Sequence, residues 1–210
     1  MSLIAAQFGT WRGLVRLALS YAETGLGLAP SRRPDPDAVH RLVFVCHGNI
    51  CRSAYADVLA REAGMAVCSF GLSTSTGNPA NDTIVRIAAR RGHDLSRHRA
   101  TALADYAPRE GDCLVAMEVR HLRKLAADER LNGLPRVLLG NYCRVPVPHL
   151  HDPYTLSPAY AATCMDRIEH AVVGLCRAFP NAVAAGSNRS DRPAAASDRA
   201  SSTRSTLCAD

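Results

Sequence analysis

Between residues 41 and 180, short apolar runs alternate with segments whose apolar residues recur at helical spacing. Arg41-Leu42-Val43-Phe44-Val45-Cys46 reads as a buried strand that ends at a loop containing Gly48 and Asn49. A helix is predicted over 53–63, with Ala54, Val58 and Leu59 apolar, and a second strand over 66–70. Residues 79–91 follow as a helix with Ile84, Ile87 and Ala88 inward and Gly92 as its stop. A strand over 113–117, a helix over 118–127 and a strand over 137–139 come next. The last helix is predicted over 157–179, with Ser157 as N-cap, Pro158 at its first position and Pro180 beyond its end. Strands alternating with helices imply an α/β fold, a parallel sheet covered on both faces. In such sheets ligands sit outside the carboxyl ends of the strands, where the loop after Cys46 lies.

The flanks read differently. Residues 1–40 form an extension with one amphipathic helix. Trp11, Leu14, Val15, Ala18 and Ala22 share a face, and Arg12, Arg16, Ser20 and Glu23 lie on another. Residues 30–37 carry three prolines and read as a stiff linker. The favoured expectation is that this helix packs on the main domain. Contact with a membrane surface or a partner through residues 11–26 is the sharper alternative. Residues 181–210 are rich in Ala, Ser, Arg and Asp, have little to bury, and are expected to be a disordered tail.

Composition adds limits. The 210 residues suffice for one domain and its tails, and a hydrophobic content of 47% supports a buried core. The net charge of +6 comes almost wholly from arginine, Lys124 being the one lysine, and the basic residues are interleaved with acids. That pattern reads as a solvated surface, and nucleic acid is not an expected partner. Eight cysteines are scattered through predicted strands and helices and do not frame a loop-rich fold. With no recognisable secretory signal and no run long enough to span a membrane, the expectation is a reducing cytoplasm with free thiols.

The chemistry concentrates in Cys46-His47-Gly48-Asn49-Ile50-Cys51-Arg52-Ser53. A tight loop between a strand and a helix aims backbone N–H groups and the positive helix end at one point, which makes an anion site. Arg52 adds a planar fork for two phosphate oxygens. Asn49 is one of the few non-glycine residues that tolerates a left-handed backbone. The field that holds a dianion also stabilises a thiolate, which makes Cys46 the candidate nucleophile. The Ser53 hydroxyl is placed to bond its sulfur.

A leaving oxygen needs a proton, and Asp152 in His149-Leu150-His151-Asp152-Pro153-Tyr154 is the candidate acid and, later, base. Pro153 holds Asp152 extended, and Tyr154 is suited to stack on an aryl group at the mouth. Cys51 has two open readings, a protective disulfide with Cys46 or an ordinary loop residue. No metal or other cofactor is called for. Cys143, His149 and His151 have irregular spacing and read as a loop.

Together these motifs resemble the low-molecular-weight protein tyrosine phosphatases, bacterial type. Val45 to Ser53 is similar to that family's phosphate loop and His151-Asp152-Pro153-Tyr154 to its acid loop. Between them, Ser69-Phe70-Gly71-Leu72, Gly77-Asn78-Pro79-Ala80, the run from Arg91 to Ala100 and Val115-Ala116-Met117-Glu118 look like its intermediate segments. The resemblance covers 41–180. It implies a three-layer sandwich around a four-stranded parallel sheet and metal-free hydrolysis of phosphotyrosine. Cys46 would be nucleophile, Arg52 clamp and Asp152 acid/base; His47, Gly48, Asn49, Ile50, Cys51, Ser53 and Tyr154 would bind substrate. It also implies a phosphotyrosine protein as partner, with a bacterial tyrosine kinase controlling exopolysaccharide production as the usual one. Departures are Ala54 for a usual Pro, His47 for an aliphatic residue, Glu118 for a frequent Asp, and no aromatic over 72–76. The rival readings are a thiol-based arsenate reductase on the same fold and a non-catalytic phosphotyrosine-binding module.

Overall fold

The computed structural model describes residues 3–184. Four strands, β1 (Arg41–Cys46), β2 (Val67–Gly71), β3 (Asp112–Ala116) and β4 (Arg136–Leu138), form one parallel sheet in the order β2-β1-β3-β4. Its helices are α1 (Leu3–Phe8), α2 (Trp11–Gly25), α3 (Arg52–Glu62), α4 (Asp82–Arg90), α5 (Val119–Ala127) and α6 (Pro158–Ala178). The chain leaves β1 toward β2 on one side and returns to β3 on the other. The carboxyl end of β1 is therefore the switch point of the sheet.

Alternation along β1 makes two cores. Leu42, Phe44 and Cys46 join one cluster with Tyr55 of α3, Ile84 of α4 and Ile168 of α6. Val43 and Val45 join another with Phe70, Tyr106 and Leu122 of α5. Three layers result, as the sequence predicts. The element bounds shift by a residue or two, except that α4 starts at Asp82, capped by Asn81, because Pro79 bridges to Arg99. Ser157 caps α6 by accepting from the Tyr160 amide.

The flanks depart from expectation. Residues 181–184, read above as tail, continue the domain: Ala182 is buried, Val183 bridges Met65, and the Ala184 amide donates to Gly64 O. The remaining tail, 185–210, lies outside the described residues. In the extension, α2 packs on the domain, but with its other side. Gly13, Leu17 and Ser20 are buried, while Trp11, Val15, Ala18 and Ala22 are exposed. Polar contacts set that orientation. Tyr21 Oη donates to Pro146 O at 2.6 Å, and Glu23 pairs with Arg123 at 2.8 Å. The linker is tied down too, with Arg32 bridging Arg136 and Ala29 buried in the second core.

At the far end of the sheet from the switch point, Asp112 is fully enclosed. Arg41 grips both its oxygens at 2.6 and 2.7 Å, and Tyr106 Oη and the Arg109 amide add 2.6 and 2.8 Å bonds. Asp112→Ala strands a half-buried guanidinium and a buried phenol. Chemical denaturation should show a loss of about 3–5 kcal/mol, with kcat of the folded fraction unchanged because the site lies at the opposite strand ends.

Candidate active site

Loop 46–52 leaves the end of β1 and runs straight into α3. Asn49 takes the left-handed conformation at φ 52°, as expected of that residue. Its side chain then ties the turn: Nδ2 donates to Ser53 Oγ at 2.8 Å and Oδ1 accepts from the Thr101 amide at 2.9 Å. His98 Nε2 lies 2.7 Å from the Asn49 carbonyl. Just past β2, the Leu72 and Ser73 amides donate to the Cys46 and His47 carbonyls. Gly71 permits this approach, since a Cβ there would lie 2.9 Å from Gly48 C and 3.0 Å from Asn49 N.

Cys46 Sγ sits at the floor of the loop. Ser53 Oγ is 3.0 Å from it and the Asn49 amide donates to it at 3.2 Å. Because Asn49 Nδ2 already donates to Ser53 Oγ, the serine hydroxyl keeps its own proton for the sulfur. The amides of Gly48, Ile50, Cys51, Arg52 and Ser53 donate to no acceptor among the described residues. The N-cap of α3, Cys51, provides no side-chain cap either. A helix start with idle donors around a thiol is a site waiting for an anion's oxygens.

Arg52 is buried completely. One nitrogen, Nη1, donates to Glu118 Oε1 at 2.5 Å and to Leu150 O at 2.7 Å. The opposite edge, Nε and Nη2, makes no hydrogen bond, although Nη2 lies 2.7 Å from Asp152 Oδ2. The guanidinium is thus anchored on one edge, and the edge that suits two phosphate oxygens keeps its N–H groups without a hydrogen bond, with Asp152 alongside. Burial would push Glu118 up, but Arg52, with His121, Arg120 and His149 behind it, holds that carboxyl well below the usual range. Burial acts against the Arg52 charge as well, and Asp152 and Glu118 overcome it to raise its affinity for the proton.

Asp152 and Tyr154 line the cleft over Cys46 with His47, Gly48, Ile50 and Cys51; the far wall is Ser73, Thr74, Ser75 and Asn78, and the volume is about 550 Å³. Asp152 is placed from both sides. Before it, the Leu150 amide donates to Met117 O at the end of β3. After it, the Tyr154 amide donates to Asp152 Oδ1 at 3.2 Å. All ten residues singled out in the sequence therefore meet at one place. Reasoning from sequence noted Glu118 only as a substitution and missed its grip on Arg52. It gave no role to Gly71, His98 or the wall 73–75. An isolated glycine closing a strand was the available signal for Gly71.

Cys46 and Cys51 are both free thiols, and burial, followed by Asp152 and Cys46, pushes the Cys51 thiol up. Cys113 is buried within β3. Among the described residues, no cluster of three His, Cys, Asp or Glu has metal-site geometry, and Cys143 Sγ points instead to Arg167 O at 3.4 Å.

The family model described as low molecular weight phosphotyrosine protein phosphatase matches residues 41–185. The chain belongs to this family. It is similar to the probable low molecular weight protein-tyrosine-phosphatase EpsP of Ralstonia solanacearum, at 35% identity over 91 residues, 42% of this chain and 63% of that protein. Against the low molecular weight protein-tyrosine-phosphatase Wzb of Escherichia coli strain K12, identity is 30% over 128 residues, 58% of this chain and 86% of the relative. Among solved structures, the Erwinia amylovora tyrosine phosphatase amsI superposes with a TM-score of 0.61 over 71% of this chain and 99% of that one, at 24% identity. The chain spans less than two thirds of the EpsP relatives, 63% and 57% of their lengths. For this member of the phosphatase family, the likeness to amsI confirms the fold.

The histidines behind Arg52 give the protein an acid-sensitive limb. Burial is the main cause that lowers His121 to about 3 and His149 to about 4, from an ordinary 6.5, so both stay neutral when folded. The unfolded chain takes up protons below 6.5 that the folded chain refuses, so stability falls as pH drops from 6.5 toward these values. By pH 5 the loss is on the order of 2 kcal/mol per histidine. Urea midpoints measured at pH 7 and pH 5 should differ accordingly, and His121→Gln should reduce the difference, His149 and the half-buried histidines His98 and His151 accounting for the rest. A difference of unchanged size in that variant contradicts the assignment.

Proposed function

We propose that this phosphatase-family chain hydrolyses phosphotyrosine through a cysteinyl-phosphate, with Cys46 as nucleophile, Arg52 as clamp and Asp152 as acid and base. The observation that carries the reading is the ring of idle donors around Cys46 Sγ: five loop amides and the Arg52 edge that makes no hydrogen bond and lies beside Asp152. A phosphate dianion satisfies them all, and they become stronger partners as charge builds on the equatorial oxygens.

In the first step the Cys46 thiolate attacks phosphorus, the bond to the tyrosyl oxygen breaks, and Asp152 gives that oxygen its proton. In the second, water loses a proton to Asp152 and attacks phosphorus, and the sulfur–phosphorus bond breaks. The returning thiolate is received by the Ser53 hydroxyl, 3.0 Å away. No metal takes part in this scheme. His47, Ile50 and Tyr154 shape the mouth, and Gly48, Asn49, Cys51 and Ser53 shape the cradle. The polar wall of Ser73, Thr74 and Ser75, in place of an aromatic, leaves room for a substrate presented by a folded protein surface.

The proposed partner is a phosphotyrosine protein, and the relatives named protein-tyrosine-phosphatase support that class. A bacterial tyrosine kinase of exopolysaccharide production is the specific candidate that kinship suggests, and a reducing cytoplasm is the compartment that suits the thiol. Among the described residues no helix is long and apolar enough to cross a membrane. The proposed catalytic unit runs from 41 to 184, with the N-terminal extension docked on it.

Aryl phosphate hydrolysis tests the roles. Cys46→Ser should abolish turnover, and Arg52→Ala should lower kcat/KM by about 10³ or more. Asp152→Ala should cost about 10²–10⁴ in kcat with phenyl phosphate and far less with a nitrophenyl leaving group. Undiminished turnover in Cys46→Ser would sink the mechanism.

A further inference from the structure

Eleven large hydrophobic side chains are exposed among the described residues, and eight of them lie between Leu3 and Leu28. On α2 they form a stripe. At 3.6 residues per turn, Trp11, Val15, Ala18, Leu19 and Ala22 share one side. Leu26, just past the helix end, continues the line. Trp11 is 64% exposed, Leu19 56% and Leu26 73%. This stripe lies opposite the buried side of Gly13, Leu17 and Ser20.

The orientation is fixed, so the stripe cannot turn inward. Thr10 caps α2 and its Oγ1 lies 3.2 Å from His151 Nε2. A Cβ on Gly13 would meet Phe8 O at 2.1 Å and the His151 ring at 2.9 Å. The helix is pressed against the residue before Asp152 through this small side, and Tyr21 and Glu23 hold its later turns to Pro146 and Arg123.

Charge identifies what covers the stripe. Arg12 and Arg16 run along one flank, both exposed, and neither has an ion pair among the described residues. The single acid on α2, Glu23, already holds Arg123. A second copy laid along the stripe would offer Arg12 and Arg16 no free carboxylate from its own α2. An anionic lipid surface satisfies both arginines and the apolar stripe at once, with an indole at the boundary between them.

We propose that α2 is a docking face for an anionic membrane surface, with Trp11, Val15 and Leu19 entering the headgroup boundary and Arg12 and Arg16 contacting acidic headgroups. Because the stripe faces away from His151, docking leaves the cleft over Cys46 uncovered. The phosphatase is then held where membrane-associated substrates are, without being anchored irreversibly.

Trp11 is the only tryptophan of the chain and reports directly. The full chain is titrated with vesicles of phosphatidylcholine alone and of phosphatidylcholine with phosphatidylglycerol, and emission and co-sedimentation are followed. The expected result is a blue shift and co-sedimentation with the acidic vesicles only, weakened by salt. Leu19→Asp with Val15→Asp should abolish binding, and Arg12→Gln and Arg16→Gln should each weaken it about fivefold. Aryl phosphate turnover should stay at the wild-type level in all these variants, which shows that they are folded. Emission unmoved by acidic vesicles overturns the proposal. So does emission already shifted without lipid in a dimer seen by sedimentation, or in a complex with a soluble protein.

Discussion

The buried guanidinium of Arg52 is the constraint around which the site is arranged. A charge that deep costs several kcal/mol unless it is paired. Glu118 from the start of α5 and the Leu150 carbonyl from the acid loop take one edge at 2.5 and 2.7 Å. Asp152 approaches Nη2 at 2.7 Å. Two segments far apart in sequence, the start of α5 and the acid loop, are thereby pinned to the loop after β1. The same contacts leave Nε and Nη2 without hydrogen bonds. A requirement of folding and a requirement of phosphate binding are met by opposite edges of one side chain.

The second organising element is the turn at Asn49. Its left-handed backbone points successive amides the same way, and its side chain relays order from Thr101 to Ser53 and on to Cys46. The loop is thus held open from its back, through His98, Thr101 and the strand-end contact at Gly71. Little reorganisation is needed when an anion enters, and such pre-ordering is what makes fixed dipoles effective in catalysis.

Local grammar made the loop legible. A buried-strand run, a Gly-Asn turn and a helix start carry their own geometry, so the anion site could be read from Cys46 to Ser53. Asp152 gained weight from the Pro that follows it and from kinship. Glu118 was harder to read, because its partner is 66 positions away and a carboxylate after a strand has many uses. Which face of α2 packs on the domain was hidden for a different reason. Periodicity locates an apolar stripe, but it does not say whether the protein or something else covers it. Here Thr10, Tyr21 and Glu23 hold the helix on the domain by polar contacts, as packing was expected, but Trp11 and Val15 stay exposed. Residues 181–184 were hidden by composition: Ala182 has no pattern to recommend it, yet it is buried beside Met65 and Ala66 because the chain turns back after α6.

The central claim is that Cys46 forms a covalent bond to phosphorus. Rapid acid quench during turnover of an aryl phosphate, followed by mass spectrometry of the digested chain, tests it most directly. The account predicts a phosphoryl group on the peptide carrying Cys46, on that sulfur, and more of it in Asp152→Ala with a good leaving group, because the second step then lacks its base. Turnover with no adduct, or with the phosphoryl group on another residue, would contradict it.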